Sequence, residues 1–209
     1  MAIGLDKPFI GGQDVVTTTN LKAVFLDKDG TLTPDVPYNA DPAKVRLFPD
    51  TAASLKRLQA AGYRLIVISN QSGVARGKFG EKALTPLFLR LLELLEAEGV
   101  ELDDIQYCPH HPEGTVRKYA VTCDCRKPMP GMLLRAAAAH HITVRDSWMV
   151  GDILHDVEAG NRAGCRSILI DNGNETEWQT GTFRTPAFRA PTLSQAVDFI
   201  LTMQQEDVA

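Results

Sequence analysis

Short apolar runs alternate along the chain with stretches that are apolar on one side only. "AVFL" (23–26), "RLIVIS" (64–69), "DIQYC" (104–108), "SWMV" (147–150) and "SILI" (167–170) have strand length. Most are apolar at nearly every position, the pattern of strands covered on both faces. Between them lie helical patterns. "DTAASLKRLQAAG" (50–62) begins at an Asp and stops at a Gly. "EKALTPLFLRLLELLEAEG" (81–99) also stops at a Gly, with its regular part expected to begin at Pro86. "PGMLLRAAAAHH" (130–141), "HDVEAGNRAG" (155–164) and "TLSQAVDFILTMQQ" (192–205) complete the set. This alternation predicts an α/β fold, a parallel sheet with helices on both faces. Ligands of such sheets sit beyond the carboxyl ends of the strands. Residues 171–191, with scattered Gly, Pro, Thr and Asn, read as loop.

Composition narrows the function classes. A chain of 209 residues has room for one core and a small insertion. We expect an N-terminal extension over 1–20 and a single domain over 21–206. The net charge of -4 speaks against non-specific affinity for nucleic acid or for an anionic membrane, since both need a basic face. No apolar stretch approaches the ~20 residues of a membrane span, and the N-terminus lacks the pattern of a secretory signal. A cytoplasmic location follows, and we expect a monomer.

The candidate chemistry lies at the strand ends. In "FLDKDGTLTPD" (25–35), Asp27 and Asp29 follow "AVFL" two positions apart, so alternation turns both toward one cleft. Carboxylates that close repel unless a divalent cation bridges them or one is protonated. A polar turn with Gly30 at its bend is the plain alternative. Other strand ends favour chemistry. "VISNQSG" (67–73) brings Ser69, "CRKP" (125–128) brings Arg126 and Lys127, and "MVGDILHD" (149–156) brings Asp152 and Asp156. A nucleophile, a proton shuttle, hard oxygen ligands for Mg²⁺ and cations for phosphoryl oxygens are the needs of phosphoryl transfer.

D-x-D-G-T-L, S-N-Q, the lysine and G-D-x-x-x-D, in this order, resemble the motifs of the haloacid dehalogenase superfamily, phosphatase branch, over about residues 23 to 170. The resemblance implies a Rossmann-like fold and Mg²⁺-dependent hydrolysis of a phosphate ester through an aspartyl-phosphate. It gives Asp27 the role of nucleophile and Asp29 that of general acid and base. Ser69 and Lys127 would hold the phosphoryl oxygens, and Asp27, Asp29 through its carbonyl, and Asp152 would hold Mg²⁺. About forty residues separate Asp27 from Ser69 and already contain a helix, so no large cap domain is expected.

"YCPHHPEGTVRKYAVTCDCRKP" (107–128) adds a second metal reading. Cys108, His110, Cys123 and Cys125 form C-x-H-x12-C-x-C and use three of the four cysteines in the chain. Four such ligands in two pairs suit tetrahedral zinc with no open position, hence a structural site in a short loop over 108–125. With "NQSGVARG" (70–77) and "GMLL" (131–134), this loop resembles the D-glycero-D-manno-heptose 1,7-bisphosphate phosphatases, which share it with histidinol-phosphate phosphatases. That resemblance implies a small phosphorylated substrate of carbohydrate metabolism, contacted by Asp35, Val36, Pro37, Tyr38, Asn70, Gln71, Ser72 and Arg126. Ile153 stands where the heptose enzymes commonly carry Lys. A rival of another class is a zinc-stabilised binding module without catalysis. The acidic balance and the intact acidic motifs weigh against it. His111 reads as a bystander, His140 and His141 as a helix end, and Cys165 as a buried apolar residue.

Overall fold

The computed structural model describes residues 21–206 and the backbone of 2–3. Its strands are β1 (Ala2–Ile3), β2 (Lys22–Leu26), β3 (Tyr63–Asn70), β4 (Asp104–Cys108), β5 (Trp148–Gly151), β6 (Arg166–Ile170) and β7 (Phe188–Ala190). Its helices are α1 (Thr51–Ala60), α2 (Leu84–Ala97), α3 (Gly131–Ala139), α4 (Leu154–Ala163) and α5 (Leu193–Glu206). The strands form one sheet in the order β1-β4-β3-β2-β5-β6-β7. β2 to β7 run parallel, as the alternation of elements predicts. The sheet is not wholly parallel, however, because β1 pairs antiparallel with β4 at its edge. Of the expected extension over 1–20, residues 4–20 lie outside the described residues.

Period-two alternation divides the core between the two faces of the sheet. Val24 and Leu26 of β2 join Leu55 and Leu58 of α1, Phe88 and Leu91 of α2, and Val197 and Ile200 of α5. Ala23 and Phe25 face the other way, against Met132 and Leu133 of α3 and Ala159 of α4. In register, Phe25 lies beside Ile66 of β3 and Met149 of β5. Apolar neighbours on both sides and both faces explain why this strand reads as a continuous apolar run. From β2 the chain steps outward through β3 and β4, then returns to β5 and steps outward on the opposite side. Such a reversal leaves an opening at the carboxyl ends of the strands around it, and β2 ends there at Asp27.

Two local expectations change. α2 begins at Leu84 rather than Pro86, after a 3₁₀ turn at Glu81–Ala83. Pro86 fits the first helical turn because an N–H there has no partner to lose. The stretch 171–191 is irregular except for β7, whose three residues are too few to show a period. Among the described residues no helix is long and apolar enough to cross a membrane.

α4 lies directly on the sheet at Gly160. A Cβ there would run into Met149 of β5 and Ser167 of β6. Gly160→Val should therefore lift α4 from the sheet and destabilise the fold by about 1–3 kcal/mol, the usual cost of overpacking. Thermal denaturation checks this, and a melting temperature equal to that of the parent would contradict the close approach.

Candidate active site

Asp27 is the first residue past β2, and its N–H still donates to the Val150 carbonyl at 2.9 Å. The last rung of the sheet thus fixes its backbone. One carboxylate oxygen from each of Asp27, Asp152 and Asp156 lies within 4.8 Å of the others. Lys127 enters this group from the loop after Cys125. Its Nζ pairs with Asp27 Oδ1, pairs with Asp156 Oδ1 at 2.6 Å and donates to the Ile68 carbonyl at 2.8 Å. Lys127 is 2% exposed and Asp156 fully buried.

Three carboxylates around one ammonium leave negative charge uncompensated in a dry place. Burial pushes Asp27 well above the usual carboxylate range; Lys127 pulls it back, while Asp156 and Asp152 push it further up. Asp152 is pushed up to about 7, by burial first and by Asp156 next. Burial alone would lower the Lys127 ammonium, but Asp156 and Asp27 outweigh it and hold the pKa above its ordinary value. Hard oxygens in excess of their counter-charge are a donor set for a divalent cation such as Mg²⁺.

The loop after β2 closes over this group. Gly30 has φ +86°, and a Cβ there would run into the Asp152 carboxylate. Only glycine meets both demands. The Thr31 hydroxyl donates to Asp152 Oδ1 at 3.4 Å. Asp29 stands apart from the three clustered acids. Its carboxylate pairs with the Lys28 ammonium and accepts from Gln71 Nε2 at 3.2 Å. It also lines a cavity of about 290 Å³ whose other walls are residues 35–39 and 70–73. Asp35, Val36, Pro37, Tyr38, Asn70, Gln71 and Ser72 are therefore brought together as the sequence expects.

Asn70 lines the cavity but has a second engagement, and Arg126 lies away from this cavity. The side-chain amide of Asn70 is already engaged: its Nδ2 donates to the Lys127 carbonyl and its Oδ1 accepts from the Lys127 N–H, both at 3.1 Å. Arg126 does not line the cavity; its Nη1 is buried without a hydrogen-bond partner, and burial pushes its pKa down. Ser69 is buried at the end of β3, where its Oγ accepts from Gln71 Nε2 at 2.8 Å.

Cys108 ends β4, and the loop beyond it gathers the second donor set. The Sγ of Cys125 lies 3.0 Å from that of Cys108 and 3.1 Å from that of Cys123. His110 Nδ1 is 3.3 Å from the Cys125 sulfur. All four cysteines of the chain are free thiols. The contact with Cys108, assisted by Cys123 and His110, pushes Cys125 down to about 4 despite burial. The contact with Cys125 and burial push Cys108 up. A thiolate among two thiols and an imidazole fits a borderline cation in tetrahedral coordination. The loop is tied down at its far side: the Ala75 carbonyl accepts from the N–H groups of Thr115 at 2.8 Å and Val116 at 2.9 Å. Tyr119 donates to Glu81 Oε2 at 2.5 Å.

Sequence reasoning missed the segment after β6. Asn172 Nδ2 donates to the Gly30 carbonyl at 2.8 Å, and Asn174 Nδ2 donates to Asp152 Oδ2 at 2.7 Å. Glu175 Oε2 accepts from the Leu154 N–H at 2.5 Å. Nothing in "DNGNE" distinguishes these residues from an ordinary loop. His111 stands outside the Cys/His donor set, with its Nε2 3.0 Å from Arg76 Nη2. Cys165 is buried as expected, its thiol pushed up to about 12 by that burial.

Comparison with known proteins agrees with this geometry. The HAD-hydrolase-like family model matches residues 124–196. The D-glycero-β-D-manno-heptose-1,7-bisphosphate 7-phosphatase of Rhodopseudomonas palustris is 42% identical over 142 residues, 68% of this chain and 79% of that protein. The enzyme of the same name from Escherichia coli (strain K12) is 42% identical over 155 residues, 74% of this chain and 81% of that protein. The crystal structure of the D,D-heptose 1,7-bisphosphate phosphatase of B. bronchiseptica, complexed with magnesium and phosphate, superposes with a TM-score of 0.75 at 28% identity, covering 88% of this chain and 99% of that one. The chain thus belongs to the haloacid dehalogenase-like phosphatases, enzymes that hydrolyse phosphoric monoesters.

Proposed function

We propose that the protein removes the 7-phosphate of D-glycero-β-D-manno-heptose 1,7-bisphosphate, giving the heptose 1-phosphate and inorganic phosphate. The observation that carries the reading is the buried grouping of Asp27, Asp152, Asp156 and Lys127, with Asp29 at its edge facing a polar cavity of about 290 Å³. The names of the relatives supply the substrate. The enzyme acts as a cytoplasmic monomer on this small phosphorylated molecule, without nucleic acid or membrane partners. Residues 21–206 form its one catalytic domain.

In this reading Asp27 attacks phosphorus. Its Oδ–P bond forms as the bond to the sugar oxygen breaks, and Asp29 gives that oxygen its proton. Asp29, now a carboxylate, takes a proton from water as the water oxygen attacks the aspartyl-phosphate; Asp27 is freed and inorganic phosphate leaves. Lys127 and Ser69 hold the phosphoryl oxygens. Asp27, the Asp29 backbone carbonyl and Asp152 would hold Mg²⁺, which supplies positive charge to the phosphoryl group. Cys108, His110, Cys123 and Cys125 would hold Zn²⁺ with no position left for water, so that the ion braces the loop carrying Arg126 and Lys127.

Phosphate release from a panel of heptose, hexose and pentose bisphosphates, monophosphates and histidinol phosphate tests the substrate. The heptose bisphosphate should give the highest kcat/KM, and Asp27→Asn should abolish its turnover while the protein remains folded. Equal turnover across the panel would refute the substrate, and an active Asp27→Asn would refute the covalent route.

The raised acids give a pH signature. Between the ordinary carboxylate value of about 4 and the value of about 7 for Asp152, the metal-free folded chain binds more protons than the unfolded chain. These groups therefore lose their contribution to stability as pH rises through that window. Mg²⁺ competes with those protons, so its gain in melting temperature should be larger near pH 8 than near pH 5. A gain independent of pH would mean that Mg²⁺ binds elsewhere.

Elemental analysis should find about one zinc per chain in protein purified without chelators. Cys108→Ala should lower both zinc content and melting temperature and raise KM, and added Mg²⁺ should not restore them. A zinc content near zero would end the reading of this loop as a metal site.

A further inference from the structure

We infer that residues 172–175 form a positioning strap for the divalent-cation site, in which Asn174 aims Asp152 and Asn172 aims the turn at Gly30. The inference rests on the Mg²⁺ reading above and adds residues to it that lie outside the four motifs. Its basis is convergence. Within four residues of irregular chain, three side chains bond to three separate parts of the site: Asn172 to the Gly30 carbonyl at 2.8 Å, Asn174 to Asp152 Oδ2 at 2.7 Å and Glu175 to the Leu154 N–H at 2.5 Å. The first partner belongs to the turn that follows Asp29. The second is an acid of the cluster, and the third begins α4, which carries Asp156.

The chemistry of each contact suits metal positioning. The Asn174 amide donates to one oxygen of Asp152, while the other oxygen accepts from Thr31 at a longer 3.4 Å. A short bond on one side and a weak one on the other fix the plane of the carboxylate and leave Oδ1 the freer oxygen for a cation. Asn172 works on backbone instead. Gly30 is in the left-handed region, where the peptide can turn easily. A donor on its carbonyl holds the Gly30–Thr31 peptide, and by pinning the far side of this hinge it limits how the preceding peptide, which carries the Asp29 carbonyl, can turn. Asn172 and Asn174 are themselves exposed, so neither contributes a packed core contact, and their bonds to the site are what substitution would remove.

The test measures Mg²⁺ binding directly, by calorimetry on the full chain stripped of divalent cations, for the parent, Asn172→Ala and Asn174→Ala. Asn174→Ala should lose about 10–100-fold in Mg²⁺ affinity, the usual scale for removing a hydrogen bond that orients a metal ligand. Asn172→Ala should lose affinity as well. Without Mg²⁺ both should melt with the parent. In phosphate-release assays the half-saturating Mg²⁺ concentration should rise, while KM for the phosphorylated substrate at saturating Mg²⁺ stays that of the parent. Parental Mg²⁺ affinity in both variants overturns the strap. So does a change confined to KM, which would assign these residues to substrate. Absence of Mg²⁺ binding in the parent overturns the underlying cation reading instead.

Discussion

The arrangement depends on one buried ammonium. Lys127 lies between Asp27 and Asp156 with a third bond to the Ile68 carbonyl, and it draws these partners from three separate parts of the chain. A single charge of this kind is tolerable in a dry interior only because every proton on it has an acceptor. Removing it would leave two buried carboxylates facing each other, a far larger disturbance than the loss of one salt bridge. The same ammonium defines how much negative charge remains for a cation to neutralise. The protein therefore uses Lys127 both to hold the β2, β3 and α4 ends together and to leave the site short of positive charge.

The second metal reading bears on the first through chain connectivity. Cys125 is two residues before Lys127, and the loop between Cys108 and Cys125 is tied to Ala75 and Glu81 on its far side. A short irregular loop has little core of its own, so a metal held by the Cys/His set would, with a few hydrogen bonds, do what packing does elsewhere. Fixing the four ligands limits the backbone freedom of Arg126 and Lys127. Structure at one donor set thereby becomes geometry at the other.

Much of this was legible in the chain because its signals are local. The apolar runs gave β2 to β6 within a residue or two, since most strands covered on both faces leave few polar positions to blur the pattern. Asp27, Ser69, Lys127 and Asp152 could be named because each stands at a strand end or beside a distinctive spacing. The hidden parts are those that act only across long sequence separation. Asn174 meets Asp152, and Asn172 meets Gly30, through bonds that no periodicity records. β7 and β1 are too short to show a period. Arg126 shows the limit of a local signal: its place beside Cys125 is plain in the sequence, but adjacency along a chain does not fix which way a side chain turns, and its Nη1 is buried away from the cavity beside Asp29.

The paired bonds between Asn70 and Lys127 have a consequence for which side chains this position can accept. Asn70 is the last residue of β3, and its side chain offers the Lys127 backbone one donor and one acceptor, as a neighbouring strand would. The amide thus extends the sheet by one rung, using a side chain in place of a peptide. Few residues can imitate a peptide in this way. Aspartate offers no donor, leucine neither group, and glutamine places both one methylene too far. The side chain at position 70 therefore behaves as a piece of backbone that fixes where the lysine begins, at the same time as it forms part of the cavity wall.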